Sequence, residues 1–143
     1  MEDVIQPHVG YGRLKLGSTK AEVMAVLGVA EAETRDPDVD CDTWLYQSGA
    51  LELNFDDDDG GRLSRITVSS CAAKLAGHLP IKSAEATVLK YFPGLEFDED
   101  FEENGKSYYD KEQDLMFWFV DGVLENISVF PKYTQDGSHP KWP

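Results

Sequence analysis

The acidic runs are the first residues to test for chemistry. Asp56-Asp57-Asp58-Asp59-Gly60-Gly61 sets four carboxylates before a glycine pair, a composition that suits a hard cation such as calcium. The spacing does not fit an EF-hand loop. Counted from Asp56, position five is Gly60 and position twelve is Thr67; counted from Asp58, position three is Gly60. The run reads as a solvated hairpin tip, with a loose surface calcium site as the alternative. Asp98-Glu99-Asp100-Phe101-Glu102-Glu103 is the second run. Crowded carboxylates serve as general acid and base when a hydrophobic pocket splits their pKa values, and the flanking residues supply no such pocket. This run reads either as a charged loop without a role or as an electrostatic docking patch, with Phe101 as an apolar contact inside it.

The other reactive residue types are scattered. His8, His78 and His139 have no cysteine or carboxylate at ligand spacing, and zinc needs about four ligands in a tight set. There is no Gly-x-Ser-x-Gly elbow and no glycine-rich phosphate loop. Ser18 and Ser83 read as helix caps rather than nucleophiles. Cys41 and Cys71 read as two free, buried thiols, with a bridge between them as the alternative. No catalytic residue, metal ligand or cofactor is assigned.

Thirteen basic and twenty-seven acidic residues give a net charge of −14 over 143 residues. The charge is −8 up to Ala72 and −6 after it, so both halves are acidic. Such a surface repels nucleic-acid phosphate and anionic lipid, and it attracts a basic partner. It also keeps a protein soluble. Met1-Glu2-Asp3 opens without a basic or apolar leader, and no apolar run approaches the roughly 20 residues of a membrane span. These readings predict a cytoplasmic protein with a protein partner, no nucleic acid and no membrane insertion.

The elements that position these residues come twice. Residues 18–27 answer 83–92, residues 51–55 answer 115–119, and residues 61–68 answer 122–129, at offsets of 65, 64 and 61. The order is kept, and the offset shrinks only in the connecting turns. Apolar residues three and four apart (Val23, Val26, Leu27; Val88, Leu89, Phe92) predict two short amphipathic helices. Alternation predicts a strand at 51–55 and the apolar, aromatic run at 115–120 predicts another, with Asp121-Gly122 as a tight hairpin turn. Leu63 is out of phase with Ile66 and Val68, the mark of a bulge or of a loop residue. Segments 31–42 and 96–104 read as acidic loops, and the tail after Pro131 as largely unstructured.

The stretch Leu16-Gly17-Ser18-Thr19-Lys20-Ala21-Glu22-Val23, then Leu27-Gly28, Trp44-Leu45-Tyr46, Leu51-Glu52-Leu53-Asn54-Phe55 and a Gly-Arg-Leu turn, resembles a known repeat. It is shared by the small outer-membrane assembly lipoproteins of the SmpA/OmlA type and the β-lactamase inhibitor protein. The likeness covers residues 14–70 closely and 81–130 loosely; the second copy lacks the leading glycine, and Pro93-Gly94 replaces Leu-Gly. The resemblance implies an inhibitor-like α+β fold of two tandem units, each a helix on a three-stranded antiparallel sheet. The units span residues 1–75 and 76–143. In the inhibitor, the joined sheets clamp another protein.

These readings converge on a non-enzymatic protein-binding module, a bacterial immunity or inhibitor protein that blocks a basic toxin or enzyme domain. An envelope assembly subunit of the SmpA/OmlA type is the alternative. The expected partner contacts are Trp44, Tyr46, Asp98, Asp100, Phe101, Glu102, Tyr108, Tyr109 and Trp118. Trp118 either packs between the two units or anchors the partner.

Overall fold

Short extended pieces open the chain: β1 (Ile5–Gln6), β2 (Gly10–Tyr11) and β3 (Leu14–Lys15) form a small antiparallel sheet. The computed structural model describes residues 2–143; Met1, where the expected 1–75 unit begins, lies outside them. Helix α1 (Lys20–Leu27) follows. Its cap is Thr19 rather than Ser18. Thr19 Oγ1 accepts from the Glu22 backbone N–H at 3.2 Å, and Glu22 Oε1 accepts from the Thr19 N–H at 2.9 Å, a capping box. Four strands come next: β4 (Ala32–Asp36), β5 (Cys41–Tyr46), β6 (Leu51–Asp56) and β7 (Leu63–Val68). After an irregular connection, α2 (Glu85–Tyr91) leads into β8 (Glu96–Asp100), β9 (Lys106–Asp110), β10 (Leu115–Val120) and β11 (Val123–Val129). A hairpin of β12 (Lys132–Tyr133) and β13 (Pro140–Lys141) ends the chain, where sequence reading expected little structure.

The fold corrects the expected pair of helix-plus-three-strand units. The molecule is mostly β, and its centre is one antiparallel sheet of eight strands in the order β4-β5-β6-β7-β11-β10-β9-β8. Each half of the chain supplies four strands, and β7 pairs with β11 through Val68↔Ile127, Thr67↔Ser128 and Ile66↔Val129. The two segments expected to be acidic loops form the edge strands β4 and β8. Every residue of both is exposed, so no hydrophobic alternation marks them. Backbone pairing with β5 and β9 is enough to make them strands.

One face of the sheet is the core. Trp44, Tyr46, Leu51, Leu53, Phe55, Ile66 and Val68 from the first half join Leu115, Phe117, Phe119, Leu124, Ile127 and Val129 from the second in a single buried cluster. Burying a side chain of this size stabilises by roughly 1.5–3 kcal/mol. The helices contribute little, since each buries one residue, Val23 in α1 and Val88 in α2. Ile5, Tyr11, Leu14 and Leu16 from the N-terminal sheet, with Ala73, Leu75 and Ile81 from the connection, complete the cluster. The expected irregularity at Leu63 is a register shift between Asn54 and Phe55 on the facing strand. The Asp121-Gly122 turn has φ of +52° and +75°, the type I′ geometry that suits a twisted hairpin.

The helix lead-ins are pinned alike in both halves. The Gly17 N–H donates to Leu63 O, and the Leu63 N–H to Ser18 O, both at 2.8 Å. In the second half the Lys82 N–H donates to Leu124 O at 2.8 Å and the Leu124 N–H to Ser83 O at 2.9 Å. Gly17 and Lys82 hold left-handed backbone, φ +87° and +76°. The ring of Trp142 lies 2.9 Å from where a Cβ on Gly17 would sit, which excludes a side chain there. Lys82 keeps the same backbone at a steric cost of about 1–2 kcal/mol.

Two outcomes check this architecture. Lys82→Gly is expected to stabilise by about 0.5–1 kcal/mol in urea denaturation, strain relief exceeding the added chain entropy. Ile66→Ala, at the β7–β11 seam, is expected to cost about 2–5 kcal/mol with one transition retained. A biphasic curve would mean that the halves fold separately.

Candidate functional site

Side chains that alternate with the core residues occupy the other face of the sheet. Thr43 and Leu45 stand on β5, Glu52 and Asn54 on β6, and Arg65 and Thr67 on β7. Across the seam come Asn126 and Ser128 on β11, Met116 and Trp118 on β10, and Ser107 and Tyr109 on β9. Ser107 and Ser128 are buried and the others are partly buried. A polar, hydrogen-bonded surface therefore spans the width of the sheet on the side away from the core.

Two hollows lie on this face. The first, about 370 Å³, is bounded by Cys41, Thr43, Asn54, Arg65, Phe130 and Tyr133, with Asp36, Asp56 and Asp59 on its acidic side. The second, about 300 Å³, is bounded by Thr67, Met116, Trp118 and Asn126. Glu52 and Arg65 line both. Asn54 Nδ2 donates to Thr43 Oγ1 at 2.9 Å, and Arg65 donates to Ser128 Oγ from Nε at 3.2 Å and Nη2 at 2.9 Å. Burial raises the pKa of the Cys41 thiol, and the Asp56 charge adds to the shift, so the sulfur stays protonated rather than becoming a nucleophilic thiolate. Burial, then the charges of Asp56 and Asp58, raises that of Asp59.

At the β8 side the face ends in an aromatic pair. Phe101, 40% exposed, packs on Trp118 with ring centroids 5.1 Å apart. Gly105 makes the approach possible: its φ is +115°, and a Cβ there would meet Phe119 O at 2.5 Å and the Trp118 ring at 3.2 Å. Asp98 Oδ2 accepts from Ser107 Oγ at 3.0 Å, and Asp100 Oδ1 accepts from the Glu102 N–H at 2.7 Å. These two carboxylates therefore also shape the turn. Glu99 and Glu103 are exposed beside them. Tyr109 donates its hydroxyl to Asp114 Oδ1 at 2.8 Å, and Asp114 Oδ2 lies 2.8 Å from His8 Nε2. Burial, then that carboxylate, raises the Tyr109 pKa, so the phenol stays neutral.

Of the nine residues expected at a partner surface, Asp98, Asp100, Phe101, Glu102, Tyr109 and Trp118 lie on or beside this face. Three do not. Trp44 and Tyr46 are each 6% exposed and belong to the core. The Trp44 ring packs 4.8 Å from Phe55, and the Tyr46 hydroxyl donates to Gly28 O at 2.9 Å. Their register opposite Leu53 and Leu51 turns them inward. Tyr108 points to the helix side and donates to Glu85 Oε2 at 3.0 Å, which ties β9 to α2. Trp118 does not pack between two units, because one sheet spans both halves. Cys41 and Cys71 are free as expected, but Cys41 is only partly buried and Cys71 is exposed. Arg65 was missed by the sequence reading. Its signal was a basic residue in the outward phase of a strand whose inward phase is Ile66 and Val68.

Gly105→Ala is expected to separate Phe101 from Trp118. The check is tryptophan emission, which should shift to the red in the variant with the far-ultraviolet dichroism unchanged. An unaltered spectrum would show that the loop absorbs the extra methyl.

No helix among the described residues is long and apolar enough to cross a membrane. No family model matches the chain. No curated protein matches it either. Among solved structures, the chain is similar to a DUF4309 family protein (YjgB) from Bacillus subtilis. The TM-score is 0.57 at 16% identity, over 85% of this chain and 84% of that one. At that identity the likeness is one of fold.

Proposed function

We propose that the chain is a non-enzymatic protein-binding module that receives a partner on the open face of its eight-stranded sheet. The concrete form of the proposal is a cytoplasmic immunity or inhibitor protein whose partner is a basic toxin or enzyme domain. One observation carries it: the sheet buries one face in the core and leaves the other lined by partly buried polar groups and an aromatic pair, between two acidic edges. An open face of this breadth suits a protein surface better than a small molecule. The edge strands and their turns hold Asp36, Asp38 and Asp40 on one side, with Asp57 and Asp58 of the β6–β7 turn nearby, and Glu96, Asp98, Glu99, Glu102 and Glu103 on the other. Charge so placed steers a basic partner toward the face between. Trp118 with Phe101 has the character of an interface anchor, a large ring surface backed by the sheet.

The test uses the immobilised full chain and basic proteins captured at low ionic strength from its own host. Glu99, Glu102 and Glu103 are reversed together to lysine, since their side chains hold no hydrogen bond in the turn. For a specific partner, association is expected to slow roughly tenfold or more, and the difference should shrink as salt rises. Trp118→Ala is expected to speed dissociation by about 2 kcal/mol. A partner that binds both variants as it binds the parent chain would place the contact elsewhere.

A further inference from the structure

Two arginines of this chain stand in opposite circumstances. Arg35, at the exposed β4 edge, lies within 3.5 Å of Asp40, Asp42 and Asp57. Arg65 stands on β7 in the middle of the open face and is partly buried. Among the described residues it has no carboxylate within the 4.0 Å of an ion pair. Desolvation lowers its pKa, and the more distant Glu52 charge only counters this. In a protein of net charge −14 this partly buried arginine thus lacks the ion-paired carboxylate that the exposed one has threefold. Burying a cation without one is costly, and a fold seldom keeps such a group without using it.

The guanidinium is held ready. Ser128 Oγ takes its Nε and one Nη2 hydrogen, and Thr67 Oγ1 steadies Ser128 at 2.9 Å. The Phe130 ring covers it at 5.1 Å. Among the described residues Nη1 and the other Nη2 hydrogen form no bond. They make the end-on edge of the fork, which fits the two oxygens of a carboxylate. Both hollows reach this group.

We propose that Arg65 is a receptor for one carboxylate entering the open face, supplied by a small organic acid or by an aspartate or glutamate side chain of a protein partner. Glu52, Asp56 and Asp59 line the same hollows and disfavour a doubly charged phosphate more than a singly charged acid. The identification of a side-chain source rests on the reading of this face as a contact surface; the site itself does not.

The test needs no partner, so its failure is distinct from failure of the capture experiment. The Arg65 Nε–Hε resonance and the backbone amides of Thr67 and Ser128, which flank it, are followed by NMR of the labelled chain during titration with propionate and with N-acetylglutamate α-amide; in variants at position 65 the two amides are the readout. Chloride and inorganic phosphate at matched ionic strength are the controls. Saturable movement in roughly the millimolar range is expected with the acids, at least tenfold weaker with both controls. Stronger binding of the blocked glutamate identifies a protein side chain as the source; stronger binding of propionate identifies a small acid. Arg65→Met is expected to abolish the movement of the Thr67 and Ser128 amides with an unchanged melting temperature. If that variant unfolds, Arg65→Lys decides, with a fivefold or greater loss expected because lysine lacks the fork. An Arg65 signal that stays fixed, or that follows chloride as it follows the acids, overturns the proposal, as does full retention in Arg65→Lys.

Discussion

The pairing of β7 with β11 is the contact on which the molecule depends. Three residue pairs make it, from residues some 60 positions apart in the chain. Without it each half would be a four-stranded sheet with β7 or β11 as a bare edge, and unpaired edges invite aggregation. With it the two apolar faces merge into one core, and the two polar faces into one surface. The same seam brings Arg65 beside Ser128. The centre of the candidate site therefore exists only in the joined sheet.

Joining the halves moves the edge problem outward to β4 and β8. Both are fully exposed and rich in carboxylates, as Ala-Glu-Thr-Arg-Asp and Glu-Phe-Asp-Glu-Asp. Charged side chains on an edge strand deter pairing with another chain. The carboxylates that protect the edges also surround the open face, so one arrangement of charge guards the edges and sets a negative potential around that face. Arg35 and Lys20 fasten part of it: first Lys20 and then Arg35 hold the Asp42 carboxyl below its usual pKa. That contribution is present above the ordinary aspartate range and is lost as pH falls through the lowered value.

What was legible in the sequence was whatever the core dictates. Alternation at 51–55, the apolar run at 115–120, the Asp121-Gly122 turn and the irregularity at Leu63 all follow from burial or from positive φ, which single residues record. The edge strands were not legible, because β4 and β8 bury nothing and are held by backbone hydrogen bonds that every residue type can make. β5 misled for a different reason. Both phases of Cys41-Asp42-Thr43-Trp44-Leu45-Tyr46 carry apolar residues, so alternation alone does not say which side faces in. The register opposite Leu51 and Leu53 decides it, and register is a long-range property. The number of helix-on-sheet units failed likewise, since nothing local records that β7 and β11 pair. Of the candidate site, the residues at the β8 edge were found by charge and aromaticity. Arg65 was not, because its meaning lies in the carboxylate it lacks.

The two kinds of charge on this surface act over different ranges. Exposed carboxylates of the rim interact through water and salt, and at physiological ionic strength their field fades over about 8 Å. They influence how often a partner arrives and little of how long it stays. Arg65, set among the sheet's own side chains, is less screened than the rim and, among the described residues, is hydrogen-bonded to Ser128 but has no carboxylate within ion-pair range. A group so placed discriminates among arrivals by whether they offer a counter-charge in register, because a misfitting partner would leave the cation covered and still unpaired. In the proposed reading, attraction by the edges and selection at the seam would follow from one topological fact: the first strand of each half lies at a rim of the sheet, and the last strand of each half lies at its centre.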